Sequence, residues 1–382
     1  MSRILGVKAY GWEWSTVHRL DMAGAARRMR EQQIDWVLAQ NLIDPLPGSA
    51  VDQSPPAGAY GDREWTARLQ DEGLRVYQST ACFFAPDDFA ELPSLRPIDQ
   101  YGQTFSPFSW YVGICPTDPD YLDRKKDRLA AAIDRTQPDG VFLSFLRFPN
   151  FWEMWLPDAE GFVGTRREEI REYCFCDRCL EQFGDWCGLD LGGGSTEQRA
   201  VVVLNELRDS WTEWKCKVIG DIAVGLRAAA REAQPSADVM LNGFGLGSSD
   251  FGNAVEEVLG QRFSELDRAI DHYELMFYFQ IQKRDPRSWI PRRVAEARSA
   301  TDRTILADLQ GGAEYLEPIY DPGRRRREIT AADWVRALRG VELSGADGVL
   351  VYSWRDLLAD EAAGGERVSR LIEYKDGRLA DA

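Results

Sequence analysis

Eight short apolar runs, most of them followed by a helix-like segment, constrain this chain more than any other feature of its sequence. The runs are 4–7, 36–38, 76–77, 141–143, 239–241, 275–279, 305–306 and 349–352. The segments between them read as helices at 21–33 (an Ala/Met stripe on a charged background), 63–72, 121–136, 201–233, 291–300 and 331–344. Gly73 and Pro138 supply plausible stops. Strand followed by helix, eight times over, predicts the α/β class and within it a (β/α)8 TIM barrel. The 382 residues suit a single barrel domain over 1–382, with enlarged loops after strands two, three and four. A loop insertion at about 148–200 carries a cysteine cluster, and 192–195 reads as a flexible joint before the long fourth helix.

In barrels of this kind, functional side chains gather at the C-terminal ends of the strands. Alternation along each strand sorts them by face. On strand seven Leu306, Asp308 and Gln310 share a face, and on strand six Met276, Tyr278 and Gln280 do. Asn242 ends strand five, while Gln40 and Asn41 follow strand two. On strand eight Tyr352, Trp354 and Asp356 fall on one face, with Ser353 and Arg355 opposite. Strand one offers Tyr10 and Trp12, or else Glu13. Polar groups in an apolar strand cost free energy unless they are satisfied or used. The expected binding residues are therefore Trp12, Glu13, Gln40, Asn41, Arg147, Trp152, Asn242, Tyr278, Gln310, Trp354, Arg355 and Asp356. Such a rim suits a hydroxyl-rich ligand. Of the thirteen tryptophans, Trp12, Trp152 and Trp354 are the candidates for stacking under sugar rings, whose C–H faces match aromatic faces.

Seven cysteines is an odd number, and Cys174, Cys176 and Cys179 crowd into six residues. That spacing points to a metal rather than to a disulfide framework. A structural zinc takes four ligands; Cys115 is the first choice for the fourth and Cys187 the alternative. Four sulfurs leave no open coordination position, so this metal is expected to be structural.

The net charge of −16 argues against nucleic acid or an anionic membrane as the main partner. The basic run 324–327 reads as a solvated loop. No apolar run approaches the roughly 20 residues a membrane helix needs, and the N-terminus shows no secretory signal, so a cytoplasmic location is expected. Only two histidines, His18 and His272, are present, which makes a histidine triad or a multi-histidine catalytic metal improbable. The glycine-rich stretches 243–247 and 311–312 lack the full phosphate-loop pattern, and no organic cofactor is expected.

Two segments carry a resemblance. Cys115-Pro-Thr-Asp-Pro-Asp-Tyr121, together with Cys174-Phe-Cys-Asp-Arg-Cys179 and its trailing Phe183 and Trp186, resembles the zinc site of glycoside hydrolase family 42 β-galactosidases. Asp139-Gly-Val-Phe-Leu-Ser-Phe-Leu-Arg-Phe-Pro149 is similar to a strand-four signature of uncharacterised glycoside-hydrolase-like barrels. The matching segments span about residues 113 to 187. The resemblance implies a barrel, a structural zinc and glycosidase activity. Ser144 stands where the signature has Asp, and strand seven lacks the Glu of the family 42 enzymes, so that family's catalytic pair is not carried over.

Glycoside hydrolysis needs one carboxylic acid and a second carboxylate. The first choice is Glu153, in an aromatic loop after strand four, with Asp308 on strand seven. Glu13, Glu274 and Asp356 are reserves, with Glu274 expected to face the wrong end of the barrel. Arg147 could orient a carboxylate; alternation sets it opposite Ser144 unless the strand bulges. The expected activity is hydrolysis of a small glycoside or oligosaccharide. An isomerase or lyase on sugars, or a non-catalytic carbohydrate-binding barrel, are the alternatives. A carbohydrate is the expected small-molecule partner, and a homo-oligomer is left open.

Overall fold

A computed structural model describes residues 3–40, 62–108, 110–156, 165–313 and 326–380. Its strands are β1 Ile4–Ala9, β2 Trp36–Gln40, β3 Arg75–Ala81, β4 Gly140–Ser144, β5 Asp238–Phe244, β6 His272–Phe277, β7 Thr304–Gln310 and β8 Gly348–Tyr352. Each pairs in parallel with the next, and β8 returns to β1, closing an eight-stranded barrel. All eight expected runs fall on strands, except that β6 ends at Phe277 and leaves Tyr278 and Phe279 beyond it.

Most expected helices form, including Met22–Glu31, Asp62–Asp71, Pro119–Thr136, Pro286–Arg298 and Ala331–Ser344. The expected helix over 201–233 is instead two helices, Thr196–Glu206 and Arg208–Ala233, with Leu207 between them. Ser195, assigned to a flexible joint, is a defined cap. Its hydroxyl accepts from the Gln198 N–H at 3.2 Å, and the Gln198 side chain accepts from the Ser195 N–H at 2.9 Å. Ser followed three residues later by Gln satisfies two helix-end donors at once, which is why a helix starts here. The enlarged loop after β2 lies outside the described residues, and those after β3 and β4 lie within them except at 109 and 157–164.

Alternation divides each strand. Outward residues such as Val7, Val37, Val76, Val141, Val239, Ile305 and Val349 pack against the helices. Inward residues Trp36, Leu38, Tyr77, Phe142, Met240, Leu306 and Leu350 fill the lower barrel. Gly140 makes room for the large rings, since a Cβ there would lie 2.7 Å from the Tyr77 ring and 2.6 Å from the Asp238 carbonyl.

The lower rim is closed by a repeat. Asp35, Asp139, Asp271 and Asp347 each stand one residue before an even-numbered strand. Each accepts the N–H of the second residue of the preceding strand: Leu5 at 2.8 Å, Val76 at 2.8 Å, Val239 at 3.0 Å and Ile305 at 2.8 Å. Four carboxylates thereby satisfy backbone donors that the ladder leaves open. His272 belongs to this end, 3.2 Å from Asp238.

Candidate active site

Above the apolar layer the interior turns polar. Lys8 points inward from β1, and its ammonium lies 2.8 Å from Asp308 Oδ2 and 3.1 Å from Glu274 Oε1. The Tyr278 hydroxyl donates to the same Asp308 oxygen at 2.8 Å, and Asn242 Nδ2 donates to Glu274 Oε2 at 2.5 Å. Asp308 and Glu274 have no exposed surface. Oδ1 of Asp308 receives no N–H or hydroxyl hydrogen bond among the described residues. Nearby the Tyr10 hydroxyl meets Ser79 at 3.0 Å, and the Tyr278 and Tyr352 rings stack with centroids 5.7 Å apart.

One cation here faces two carboxylates, and the protonation states follow. Burial works against the Lys8 charge, but Asp308 and Glu274 outweigh it and push its pKa up. Burial drives Glu274 well above the usual carboxylate range; Lys8 pulls it down, while the charge of Asp308 and a hydrogen bond to it push the same way as burial. Glu274 is thereby biased toward its protonated form beside Asp308. This corrects the expectation that Glu274 faces the wrong end: it is the third residue of β6, on the inward face, and its side chain reaches up to Lys8.

After β4 the chain turns sharply. Phe145 takes a left-handed conformation (φ 53°), and this turn, rather than a bulge, frees Arg147 from strand alternation. The Arg147 guanidinium lies 4.9 Å from the Phe244 ring centre and 5.3 Å from that of Phe145. A short 3-10 turn, Trp152–Trp155, follows. Asn150 holds it by accepting from the Trp155 indole at 3.0 Å and donating to the Arg171 carbonyl at 2.6 Å. Trp152 packs edge-on to Phe244 and shares an apolar cluster with Met276 and Tyr278. Glu153 is thus carried in a loop that closes over the β5–β6 side of the mouth. Its carboxyl is buried, and burial pushes its pKa up to about 7 against the pull of Arg147.

Not every expected binding residue joins this group. Asn242, Tyr278 and Asp308 meet around Lys8. Gln310 lies beside them, its Oε1 accepting the Ile281 N–H at 3.4 Å. Trp354 does not face the mouth. Strand pairing ends at Tyr352, Trp354 begins a helix, and its indole donates to Gln32 at 2.8 Å within the outer core. Trp12 is likewise buried, 5.5 Å from Trp14 between ring centres. Glu13, Arg355 and Asp356 collect at the β8–β1 side, with Arg355 3.7 Å from each carboxylate. Gln40 ends β2, and its side chain, like Asn41, lies outside the described residues. Sequence reasoning missed Lys8. Its signal was present, a lysine on the same face as Ile4 and Gly6 in an otherwise apolar strand.

A candidate metal centre lies under the β3 and β4 loops. Sγ atoms of Cys115, Cys174, Cys176 and Cys179 all lie within 4.8 Å of one another. Cys187 is elsewhere, 3.7 Å from the Gly184 carbonyl, which decides between the two candidates for fourth ligand. Thr117 reaches Cys179 at 3.2 Å, and Arg178 bonds Thr117 and Asp118. Four clustered sulfurs can hold a metal ion.

A second buried ion cluster anchors the same loop. Glu172 accepts from Arg167 at 2.8 Å, Arg208 at 3.1 Å and Lys215 at 3.2 Å. Glu257 takes Arg167 at 2.9 Å and Arg208 at 3.4 Å.

No protein-family model and no curated protein matches the sequence. Solved structures do match in fold. The glycoside hydrolase domain of PgaB (BpsB) from Bordetella bronchiseptica superposes with a TM-score of 0.66 at 16% identity, covering 96% of this chain and 98% of that one. A cold-adapted β-galactosidase from Rahnella sp. R3 gives 0.63 at 13% identity over 100% of this chain, and a β-galactosidase from Halorubrum lacusprofundi gives 0.60 at 16% over 92%. This chain spans 58% and 52% of the length of those two β-galactosidase chains. The likeness to glycoside-hydrolase barrels expected from the cysteine and strand-four motifs therefore holds in the fold. No helix among the described residues is long and apolar enough to cross a membrane.

Proposed function

We propose that this protein is a glycoside hydrolase acting on a small glycoside or oligosaccharide, with Glu153 as general acid and Asp308 as the second carboxylate. What supports the reading is that the two carboxyls sit in unlike surroundings, Glu153 buried in the β4 loop beside Arg147 and Asp308 buried on β7 beside Lys8. Glu153 is protonatable near neutrality because it is buried, and Asp308 is gripped through one oxygen by Lys8 and Tyr278. An acid of raised pKa can protonate a leaving glycosidic oxygen; a fixed carboxylate can serve as nucleophile or as base for water. Lys8 orients Asp308 and balances its charge, and Tyr278 fixes the same oxygen. Arg147 beside Glu153 keeps the acid from rising further. The fold neighbours, a PgaB glycoside hydrolase domain and β-galactosidases, support the same class.

The experiment is turnover of a panel of aryl glycosides and oligosaccharides by wild type, Glu153→Gln and Asp308→Asn. Full activity in both variants would overturn the assignment. A non-catalytic sugar-binding barrel is the second reading, favoured by the complete burial of Asp308 and Glu274. Saturable sugar binding without turnover of any panel member would select it.

The proposal extends to the cysteine group as a zinc site. Four thiolates form the closed tetrahedral set that structural zinc takes. Held there, zinc would tie Cys115 of the β3 loop to the three cysteines of the β4 loop that carries Glu153, and would do no chemistry. A thiolate metal site persists where cysteines stay reduced, which supports a cytoplasmic setting. Metal analysis of the purified protein, with Cys176→Ser as control, tests the site; wild type free of zinc would end that part of the proposal.

A further inference from the structure

Outside the barrel, between β5–β6 and the helix Pro286–Arg298, lies a cavity of about 220 Å³ that the proposed reaction does not use. Leu246, Val255, Phe263, Leu266 and Leu275 form apolar walls. Into this wall projects Arg293, only 7% exposed. Its Nε meets no hydrogen-bond partner among the described residues, its one ion pair is a loose 3.7 Å approach to Glu296, and the guanidinium lies 5.7 Å from the Phe263 ring centre. Burial pulls its pKa down, against the charges of Glu296, Asp250 and Glu256. Those neighbours are engaged elsewhere. Glu296 accepts the Ser248 N–H at 2.7 Å, Glu256 accepts from Arg262 at 2.8 Å, and Asp250 accepts from Arg284 at 2.7 Å.

A buried guanidinium has donors in a planar fork and no acceptor, so it calls for a planar anion. The cavity opens to solvent beside exposed Ser248, Ser299 and Ala300. It is smaller than the roughly 300–1,000 Å³ of sites for drug-sized ligands, which limits the occupant to a compact molecule. The apolar walls favour an apolar body. Glu296, at the same guanidinium, disfavours a dianion. We infer that this cavity binds a small monocarboxylate with a compact apolar body, its carboxylate on Arg293 and its body against Phe263 and Leu246.

Benzoate is the probe and benzamide its neutral isostere, titrated calorimetrically into the whole protein at low salt. Benzoate is expected to bind at least about tenfold more tightly than benzamide, the order of difference that one charge-assisted pair makes. Arg293→Gln should weaken benzoate by a similar factor. Glu296→Gln should tighten it, because a competing carboxylate is gone; this second variant keeps the test decisive if Arg293→Gln does not fold. Equal binding of benzoate and benzamide, no change or weakening in Glu296→Gln, or no benzoate binding at 20 mM (~20 mM being far above a useful Kd) would each overturn the inference and leave a water-filled void.

Discussion

Lys8 and Lys215 are both buried lysines facing carboxylates, yet their surroundings are opposite in balance. Around Lys215 three cations, with Arg167 and Arg208, serve Glu172 and Glu257. Around Lys8 one cation serves two carboxylates, Asp308 and Glu274. In the first cluster burial works to raise Glu172, but Lys215, Arg167 and Arg208 overcome it and bring its pKa down to about 2. Burial lowers Lys215 in turn. In the second, Lys8 and Glu274 are both pushed up. An excess of cations locks a carboxylate in one ionisation state and makes a brace. An excess of carboxylates leaves a proton to be shared and makes chemistry available.

The sharpest test of that contrast is Asp308→Asn against Glu172→Gln. Asp308→Asn should cost on the order of 10³-fold in kcat/KM, about 4 kcal/mol of transition-state stabilisation, with a smaller loss of stability than Glu172→Gln because Glu274 remains 3.1 Å from Lys8. Glu172→Gln should instead cost roughly 3–5 kcal/mol of stability, because it strands buried cations, while the folded fraction keeps its activity. Urea melts and kinetics on both variants check this; the reverse pattern would break the comparison.

The pH dependences should also diverge. Glu153 must be protonated to act as acid, so kcat/KM should fall as pH rises through about 7. Its folded pKa lies above the ordinary 4.5, so its ionisation also lowers stability between about 4.5 and 7. Glu172, depressed to about 2, contributes stability above about 4.5 that is lost as pH falls toward 2. Glu153→Gln should flatten the first profile and leave the second. Unfolding and rate profiles from pH 2 to 9 (~2–9, spanning both values) would show it.

The smallest expected effect sharpens the comparison most. Burial pushes Glu274 toward its neutral form, so Glu274→Gln should change stability by no more than about 1–2 kcal/mol, as for one buried hydrogen bond rearranged. A loss as large as that of Glu172→Gln would show Glu274 to be charged.

Much of the frame could be read in advance. Each strand lay on an apolar run, because residues buried on both faces of a parallel sheet must be apolar. Cys174, Cys176 and Cys179 announce a sulfur cluster because their spacing is local. Failures came where a local pattern was extended past its element. Trp354 was sorted by strand alternation, but Ser353 caps a helix whose third residue, Asp356, completes the capping box. The place of Glu274 along β6 points to the lower end, but inward side chains meet partners on strands far away in sequence. Lys8 carries only its strand-face signal, because the carboxylates that give it a role lie on β6 and β7.

By itself the sequence determined the strand–helix period and the cluster of three thiols, since these depend on neighbours a few residues apart. Tertiary structure alone decided that Lys8 meets Glu274 and Asp308 across 266 and 300 residues, and that Glu153 is buried. Protonation follows from those facts, because a carboxyl's charge is set by the solvent it loses and the charges it gains through space, and neither is written in its sequence neighbours.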